Sequence, residues 1–370
     1  MYVMLQGLPG VRKSTAINIG TKLLKKAGYT KFASNRMSRQ MFLEELHHMN
    51  KIEYDVLKLS MEELLDIKDD APAEISIHAS EFLDFIGQGD KDYLMLITSL
   101  WDNLDEYKNP KITSKSVSVK YPTVNFIGGN TPAGLNLAFP AETIDAGTLS
   151  RFIFVHAQSN GTKILIPTRP SAEAEAGLIA HLTRIKNEVK GQASVTAEAL
   201  EILEFIYKEA KPLDDPRFLY YHSRRLTHLI KLSLVLSASR ISTEITADDV
   251  LRANTILGAT EHVMPKALGH FGRSKNSAII HSMIETIEEA GRPIMPKELY
   301  SKFSSDFSKE VDFTACLMDL QVSDRLRAIR SEDGTKLLGL MAVEREFPKW
   351  LAPLMVLDEL TKQERGVIGL

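Results

Sequence analysis

The stretch Gly7-Leu8-Pro9-Gly10-Val11-Arg12-Lys13-Ser14-Thr15 holds the residue types and spacing that most directly suggest chemistry. It follows a short apolar run, Tyr2–Gln6, and opens an amphipathic pattern, AINIGTKLLKKAG. Glycines at a strand-to-helix turn let successive backbone N–H groups converge on one anion, and the helix N-terminus adds partial positive charge. In such a loop a lysine reaches the outer phosphates and a hydroxyl holds Mg²⁺. The pattern therefore predicts a cradle for ATP or GTP from Gly7 to Thr15, with Lys13 on the β- and γ-phosphates and Ser14 on the metal. The usual pattern, G-x-x-x-x-G-K-[ST], has glycine where Arg12 stands. Glycine there allows close backbone approach, so Arg12 must tolerate that geometry with its side chain turned outward. A plain Gly/Pro turn before a surface helix is the alternative.

Hydrolysis asks for a second element: an apolar strand ending in Asp-Glu, the aspartate holding Mg²⁺ through water and the glutamate polarising the attacking water. Here the run EISIHA ends in Ser80-Glu81. Glu81 takes the position of the base, and Ser80 takes the metal side with a hydroxyl that adds no charge. Slower turnover or weaker Mg²⁺ affinity is the expected consequence. A buried serine beside an exposed glutamate is the alternative. Asp69 and Asp70 precede the strand and so lie at the wrong end of it, and His78 within it is expected to be a hydrogen-bonded core residue.

These groups need a scaffold, and the first 160 residues supply the pattern of one. Short apolar runs (Tyr2–Gln6, Tyr29–Ser34, Glu74–Ala79, Thr123–Gly128 and Phe152–Ala157) alternate with amphipathic stretches, which predicts a parallel sheet between helices. From Ile166 to about Leu268 the chain reads as helix, with Thr196 as an N-cap and Thr246 with Asp249 as a capping box. The Gly-rich basic segment Leu268–Asn276 reads as a linker. Beyond it come a helix from Ser277 to Ala290, a short one opened by Pro296, another over Glu310–Leu320, and two strand-like runs joined by Glu332-Asp333-Gly334. Three helices and a hairpin are the layout of a winged helix. The tail from Val343 is expected to dock or to be disordered.

The 370 residues, 44% apolar and 25% charged, suit two or three globular domains rather than a disordered or fibrous chain. The single cysteine, Cys316, excludes an intramolecular disulfide and suits a reducing compartment. No apolar run approaches a membrane span, the opening residues do not read as a secretion signal, and a net charge of −3 argues against a uniformly basic protein that coats nucleic acid.

Taken in order, these motifs resemble the AAA+ ATPases, and three further stretches are similar to minichromosome-maintenance (MCM) helicases. Val124–Pro132, VNFIGGNTP, resembles the sensor-1 strand, whose polar end, here Asn130, sits beside the γ-phosphate. Leu149-Ser150-Arg151-Phe152 resembles the element whose arginine is a finger in the neighbouring subunit's site. Ser223–Leu232, SRRLTHLIKL, resembles the sensor-2 helix, with Arg224 on the functional arginine, and ITADDVLRANTIL resembles the helix after it. Phage and plasmid replication ATPases are similar in the loop and the SRF-like arginine.

The resemblance implies an α/β fold: an AAA+ P-loop NTPase core with a parallel sheet (1–165), an all-α lid with sensor 2 (166–268), a C-terminal winged-helix domain (269–342) and a tail (343–370). It also implies ATP and Mg²⁺, with Lys13, Glu81, Asn130, Arg151 and Arg224 as catalytic residues and Ser14 and Ser80 on the metal side. A homo-oligomeric ring, a hexamer, would share those sites between subunits. The location implied is the cytoplasm, a bacterial host's if the chain is phage-encoded, with no membrane partner.

Nucleic acid has one local candidate. Between Glu106 and Pro122 four lysines (Lys108, Lys111, Lys115, Lys120) face one glutamate, and PKITSKSVSVKYP reads as a hairpin. MCM-like proteins place a pore hairpin there, so Lys111 and Lys115 are expected to contact the phosphates of single-stranded or forked DNA; a solvated hairpin is the alternative. The winged helix is less basic, with ten Lys/Arg against eleven Asp/Glu over residues 269–340, and Glu310, Asp312 and Asp319 on its third helix. It suits a replication partner protein as well as it suits DNA. Three functions compete: a ring motor on DNA, a slow ATP switch such as an initiator or helicase loader, and a AAA+ remodeller of protein.

Overall fold

In a computed structural model the described residues are 1–49, 72–87, 90–102, 104–109, 117–140, 147–156, 165–166, 170–213, 215–268, 275–307, 309–332, 334–343, 347–348 and 350–356. The apolar runs of the first part form β1 (Tyr2–Gln6), β2 (Glu74–Ala79), β5 (Thr123–Asn130) and β6 (Phe152–His156), between which lie β3 (Glu106–Asn109) and β4 (Val117–Lys120). β2, β5, β1 and β6 pair in that order, all parallel. The register is continuous: Tyr2 lies level with Phe126 and Phe152, and Gln6 with Asn130 and His156.

One expected strand is corrected. Over Tyr29–Ser34 only Phe32 forms a bridge, to Ser76, through Ser76 N–H to Lys31 O and Ala33 N–H to Ser76 O. None of those six residues is buried. At an edge with so little burial, alternation alone does not hold a chain in register, and one rung is what forms.

The two faces of the sheet are covered differently. Helix α1 (Lys13–Lys26) covers one, and its Ile17 is buried. On the other, Tyr2, Phe126 and Phe152 form an aromatic floor with Phe82 of α3 (Phe82–Ile86) and Phe139, which follows α5 (Pro132–Ala138). Phe82 and Phe139 stack at 5.0 Å. Such rings contribute about 0.5–1.5 kcal/mol per pair beyond the area they bury. Two further helices precede these strands or join them, α2 (Arg39–Met49) and α4 (Lys91–Ser99).

The helical region consists of α6 (Ala172–Glu188), α7 (Ala197–Glu209), α8 (Leu219–Ser239) and α9 (Ala247–Ala267). The expected caps are present: Thr196 Oγ1 accepts from Ala199 N–H, and Thr246 and Asp249 form a reciprocal box. Two short strands within it, β7 (Ser194–Val195) and β8 (Glu244–Ile245), pair in parallel and were not apparent from its helical periodicity.

The chain divides into two compact units, residues 1–268 with the segment after 347, and residues 269–347. The returning segment docks on α9: Asn254 Nδ2–H donates to Leu354 O at 2.9 Å, and Val356 N–H to Thr255 Oγ1 at 2.8 Å. Of the expected tail, residues 350–356 therefore dock.

The second unit contains α10 (Lys275–Ala290), α11 (Pro296–Phe303), α12 (Glu310–Val322) and the hairpin β9 (Leu326–Arg330) and β10 (Leu337–Ala342). Its core joins Met283, Ile287, Leu299, Phe313, Leu317 and Leu340. No described helix is long and apolar enough to cross a membrane.

Gly339 locks that unit together. Its φ is +148°, and a Cβ there would meet Ile294 N and Pro293 C at 2.8 Å. The close approach lets Ile294 and Leu340 exchange backbone hydrogen bonds of 3.0 and 2.8 Å. Gly339→Ala should destabilise the unit by about 2 kcal/mol, through strain and backbone displacement. Urea denaturation followed by circular dichroism measures this, with a lowered midpoint expected.

Candidate functional site

A parallel sheet collects the loops that follow its strands at one end, and here those loops carry the predicted phosphate site. After Gln6 the chain turns through Gly10 (φ +90°) and Arg12 (φ +62°, ψ +25°) into α1. Arg12 is left-handed, and it is exposed as expected for a side chain turned outward. Leu8, Pro9 and Gly10 are exposed as well, so the loop is open to solvent. The first turn of α1 carries no acid and its last turn carries Lys25 and Lys26. Cations thus complement the C-terminal dipole, and the N-terminal charge is left for an anion.

Lys13 is 8% exposed and folds over the loop, donating to Gly7 O at 2.7 Å and to Leu8 O at 3.0 Å. Burial pulls its ammonium below the usual lysine value, and the Glu81 carboxylate opposes that shift. Glu81 is exposed at the start of α3, and Ser80 O lies 2.7 Å from where a Cβ on Gly129 would stand. The same Cβ would lie 3.6 Å from Lys13 Cβ. Gly129 therefore lets the end of β5 close on the ends of both neighbouring elements.

Asn130, the last residue of β5, is 1% exposed. Its Oδ1 accepts from Thr131 N–H at 2.9 Å, and its buried Nδ2 has no partner among the described residues. Beside it in register stands Gln6, fully buried, with neither amide atom partnered among the described residues. Sequence reading missed Gln6. The available signal was an amide ending an apolar strand immediately before Gly7.

The residues fit a nucleoside triphosphate. An acid-free helix start, a lysine held by carbonyls that phosphate oxygens can replace, and two unpaired buried amides suit an oxyanion. For Mg²⁺ the chain offers the hydroxyls of Ser14 and Ser80, hard oxygen donors that leave most of an octahedron to phosphate and water. Among the described residues no group of three or more His, Cys, Asp or Glu is placed to hold a metal. His78 is hydrogen-bonded, with Nδ1 2.6 Å from Thr21 Oγ1 and Nε2 3.1 Å from Ser76 Oγ.

Arg151 and Arg224 are elsewhere. Arg151 ends a 3₁₀ turn, Leu149–Arg151, and precedes Phe152, which is level with Tyr2. The phosphate loop starts after Gln6, four rungs or roughly 13 Å further along the sheet. Arg151 NH2 and Arg224 NH1 donate to opposite oxygens of one carboxylate, Asp102, at 2.9 and 3.3 Å. The structure therefore joins Lys13, Ser14, Ser80, Glu81 and Asn130 at one end of the sheet, and Arg151 with Arg224 at the other.

Helix α8 makes the second cluster by presenting Arg224, His228 and Lys231 on one stripe. His228 Nε2–H donates to Ser150 O at 2.9 Å, and burial lowers the imidazole to about 4, so it is neutral. Lys231 Nζ donates to Trp101 O at 2.8 Å and lies 3.6 Å from the indole centroid. Arg225, next in sequence to Arg224, faces the other way. It is 4% exposed, pairs with Glu261 and Asn254, and lies under Trp350.

The lysine-bearing hairpin has described arms only. β3 and β4 pair from Glu106↔Lys120 to Asn109↔Val117, and Glu106 is held below the usual carboxylate range by Lys108 and Ser118. The first arm thus begins earlier than the PKITS run suggested. Lys111 and Lys115 lie outside the described residues. No family model matches the chain, and no curated protein matches it.

The loop and the amides each generate a testable outcome. Arg12→Gly should stabilise the chain by about 1 kcal/mol by relieving a left-handed arginine, read as a higher melting temperature. Gln6→Leu should also stabilise, by about 1 kcal/mol, because an unpartnered buried amide is removed.

Proposed function

We propose that this chain is an ATP-hydrolysing AAA+ motor that works on DNA in replication, of a phage or mobile element, as a ring whose nucleotide sites are shared between neighbours. One observation carries the reading: Lys13 and the two candidate arginines occupy opposite ends of one parallel sheet, within a single compact unit. Arginines so placed serve a nucleotide only when it is bound to another copy of the chain.

In this reading the loop from Gly7 to Thr15 holds the phosphates of ATP, and Ser14 and Ser80 are the hydroxyls on the metal side. Bound Mg²⁺ supplies charge neutralisation of the β- and γ-oxygens. Glu81 takes up the proton of the attacking water, and Asn130 orients the terminal phosphate. Arg151 and Arg224 of the next subunit stabilise the charge that develops on it. The unit with three helices and a hairpin is then the winged helix, and the helical region the lid. The acidic residues of α12, Glu310, Asp312 and Asp319, are exposed and favour a replication partner protein over DNA on that surface. DNA is assigned to the hairpin tip with Lys111 and Lys115, and the site of action to the cytoplasm.

A second reading, the slow ATP switch of an initiator or helicase loader, is favoured by Ser80. A hydroxyl in place of a carboxylate leaves the metal with less charge and slows turnover without preventing binding.

Mixing two inactive variants tests the shared site. Arg151→Ala and Glu81→Gln should each bind ATP and hydrolyse it poorly, the first by up to about 10³-fold. Mixed, they should regain part of the activity, since some interfaces then pair an intact Glu81 with an intact Arg151. Lys13→Ala is the control that removes phosphate binding. No recovery in mixtures shown by sedimentation to co-assemble would exclude an arginine acting between chains.

A further inference from the structure

The cluster that holds the two arginines contains more cations than its carboxylate can balance. Arg151, Arg224 and Lys231 surround Asp102 and the face of Trp101, with the guanidinium centres 5.8 and 5.7 Å from the indole centroid. Asp102 divides its two oxygens between the arginines. Arg151 is further fixed by NH1–H to Gly147 O at 3.1 Å, yet its buried Nε has no partner among the described residues. Burial draws Lys231 down to about 8, and Arg151 and Arg224 push the same way while Asp102 opposes them. Three positive groups and one negative group in a partly dry site leave a surplus that a second, more highly charged anion would relieve.

The geometry of Asp102 is that of an oxyanion bridging two guanidiniums, which is also how a terminal phosphate is held. Resting on the shared-site reading above, we propose that Asp102 is a built-in stand-in for the neighbouring subunit's nucleotide phosphate. It keeps Arg151 and Arg224 occupied in the separate chain and gives them up to the γ-phosphate on assembly, with Lys231 as a third cation of that site. Asp102 is then a positioning residue that sets how much nucleotide-bound neighbour is needed to open the cluster, and Trp101 is the platform along which the cations lie. The half-exposed carboxylate and the half-buried Lys231 leave the cluster accessible from solvent.

The test is ATP-dependent assembly and turnover as a function of protein concentration, using sedimentation with a non-hydrolysable ATP analogue and phosphate release with ATP. A latch that keeps most separate chains closed weakens apparent association in inverse proportion to the open fraction. Asp102→Asn should therefore lower the concentration for half-maximal assembly by about three- to tenfold, and Asp102→Ser should do the same if the amide impairs folding. Lys231→Met should lower kcat about tenfold with little change in KM for ATP, and Lys231→Arg should restore it. Lys231→Met mixed with Lys13→Ala should recover activity, because the lysine and the phosphate loop would then come from different chains.

If the unaltered chain assembles with ATP but neither Asp102 variant shifts to lower concentration, the latch is wrong and the shared site stands. Lys231→Met turning over at the unaltered rate removes Lys231 from the site. If the unaltered chain neither assembles with the analogue nor hydrolyses ATP, the shared-site reading fails and this proposal fails with it.

Discussion

In a parallel sheet every strand runs the same way, so the loop leaving one strand and the segment entering its neighbour lie at opposite ends. β1 leads into the loop of Lys13, and β6 is preceded by Arg151. The two strands pair without a slip from Tyr2↔Phe152 to Gln6↔His156. No side-chain rotation overcomes that separation. The division of the candidate chemistry into a phosphate end and a cation end comes from strand polarity and from a register held by the buried faces of the strands.

The cost of the phosphate end is visible in its local structure. An arginine sits in the left-handed region, two amides are buried with atoms unpaired, and a lysine is desolvated. The strained arginine and each unpaired amide cost about 1–3 kcal/mol in a folded chain. The aromatic floor of Tyr2, Phe82, Phe126, Phe139 and Phe152, on the sheet face opposite α1, holds the central strands against these local losses. Rule-breaking residues at the end of a well-packed sheet are what a ligand site produces.

At the other end, α8 does two jobs with two stripes. Tyr221, Arg225 and Leu232 are buried; Tyr221 hydroxyl and Arg225 both bond Glu261 of α9. Arg224, His228 and Lys231 turn toward Asp102, Ser150 and Trp101. The buried Arg225 pair, with Asn254 and Trp350, fixes the rotation of the helix, and that rotation aims Arg224. A structural arginine and a candidate functional one are thus adjacent in sequence and about 100° apart around the helix axis.

Much of this was legible from residue types in order. The strand-loop-helix at Gly7–Thr15, the outward turn of Arg12, the caps at Thr196 and Thr246, and the three helices with a hairpin are local features, set by backbone sterics and periodicity over a few residues. The expected strand at Tyr29–Ser34 reduced to one bridge because whether an apolar run pairs depends on its neighbours and not on itself. Tertiary structure alone decided that Arg224 meets Arg151, that Asp102 and Trp101 join them from a distant helix end, and that Gln6 stands beside Asn130. Those pairings span dozens to more than a hundred residues of chain. They are set by strand order and helix rotation, which depend on the packing of the whole unit and leave no mark in the spacing of nearby residues.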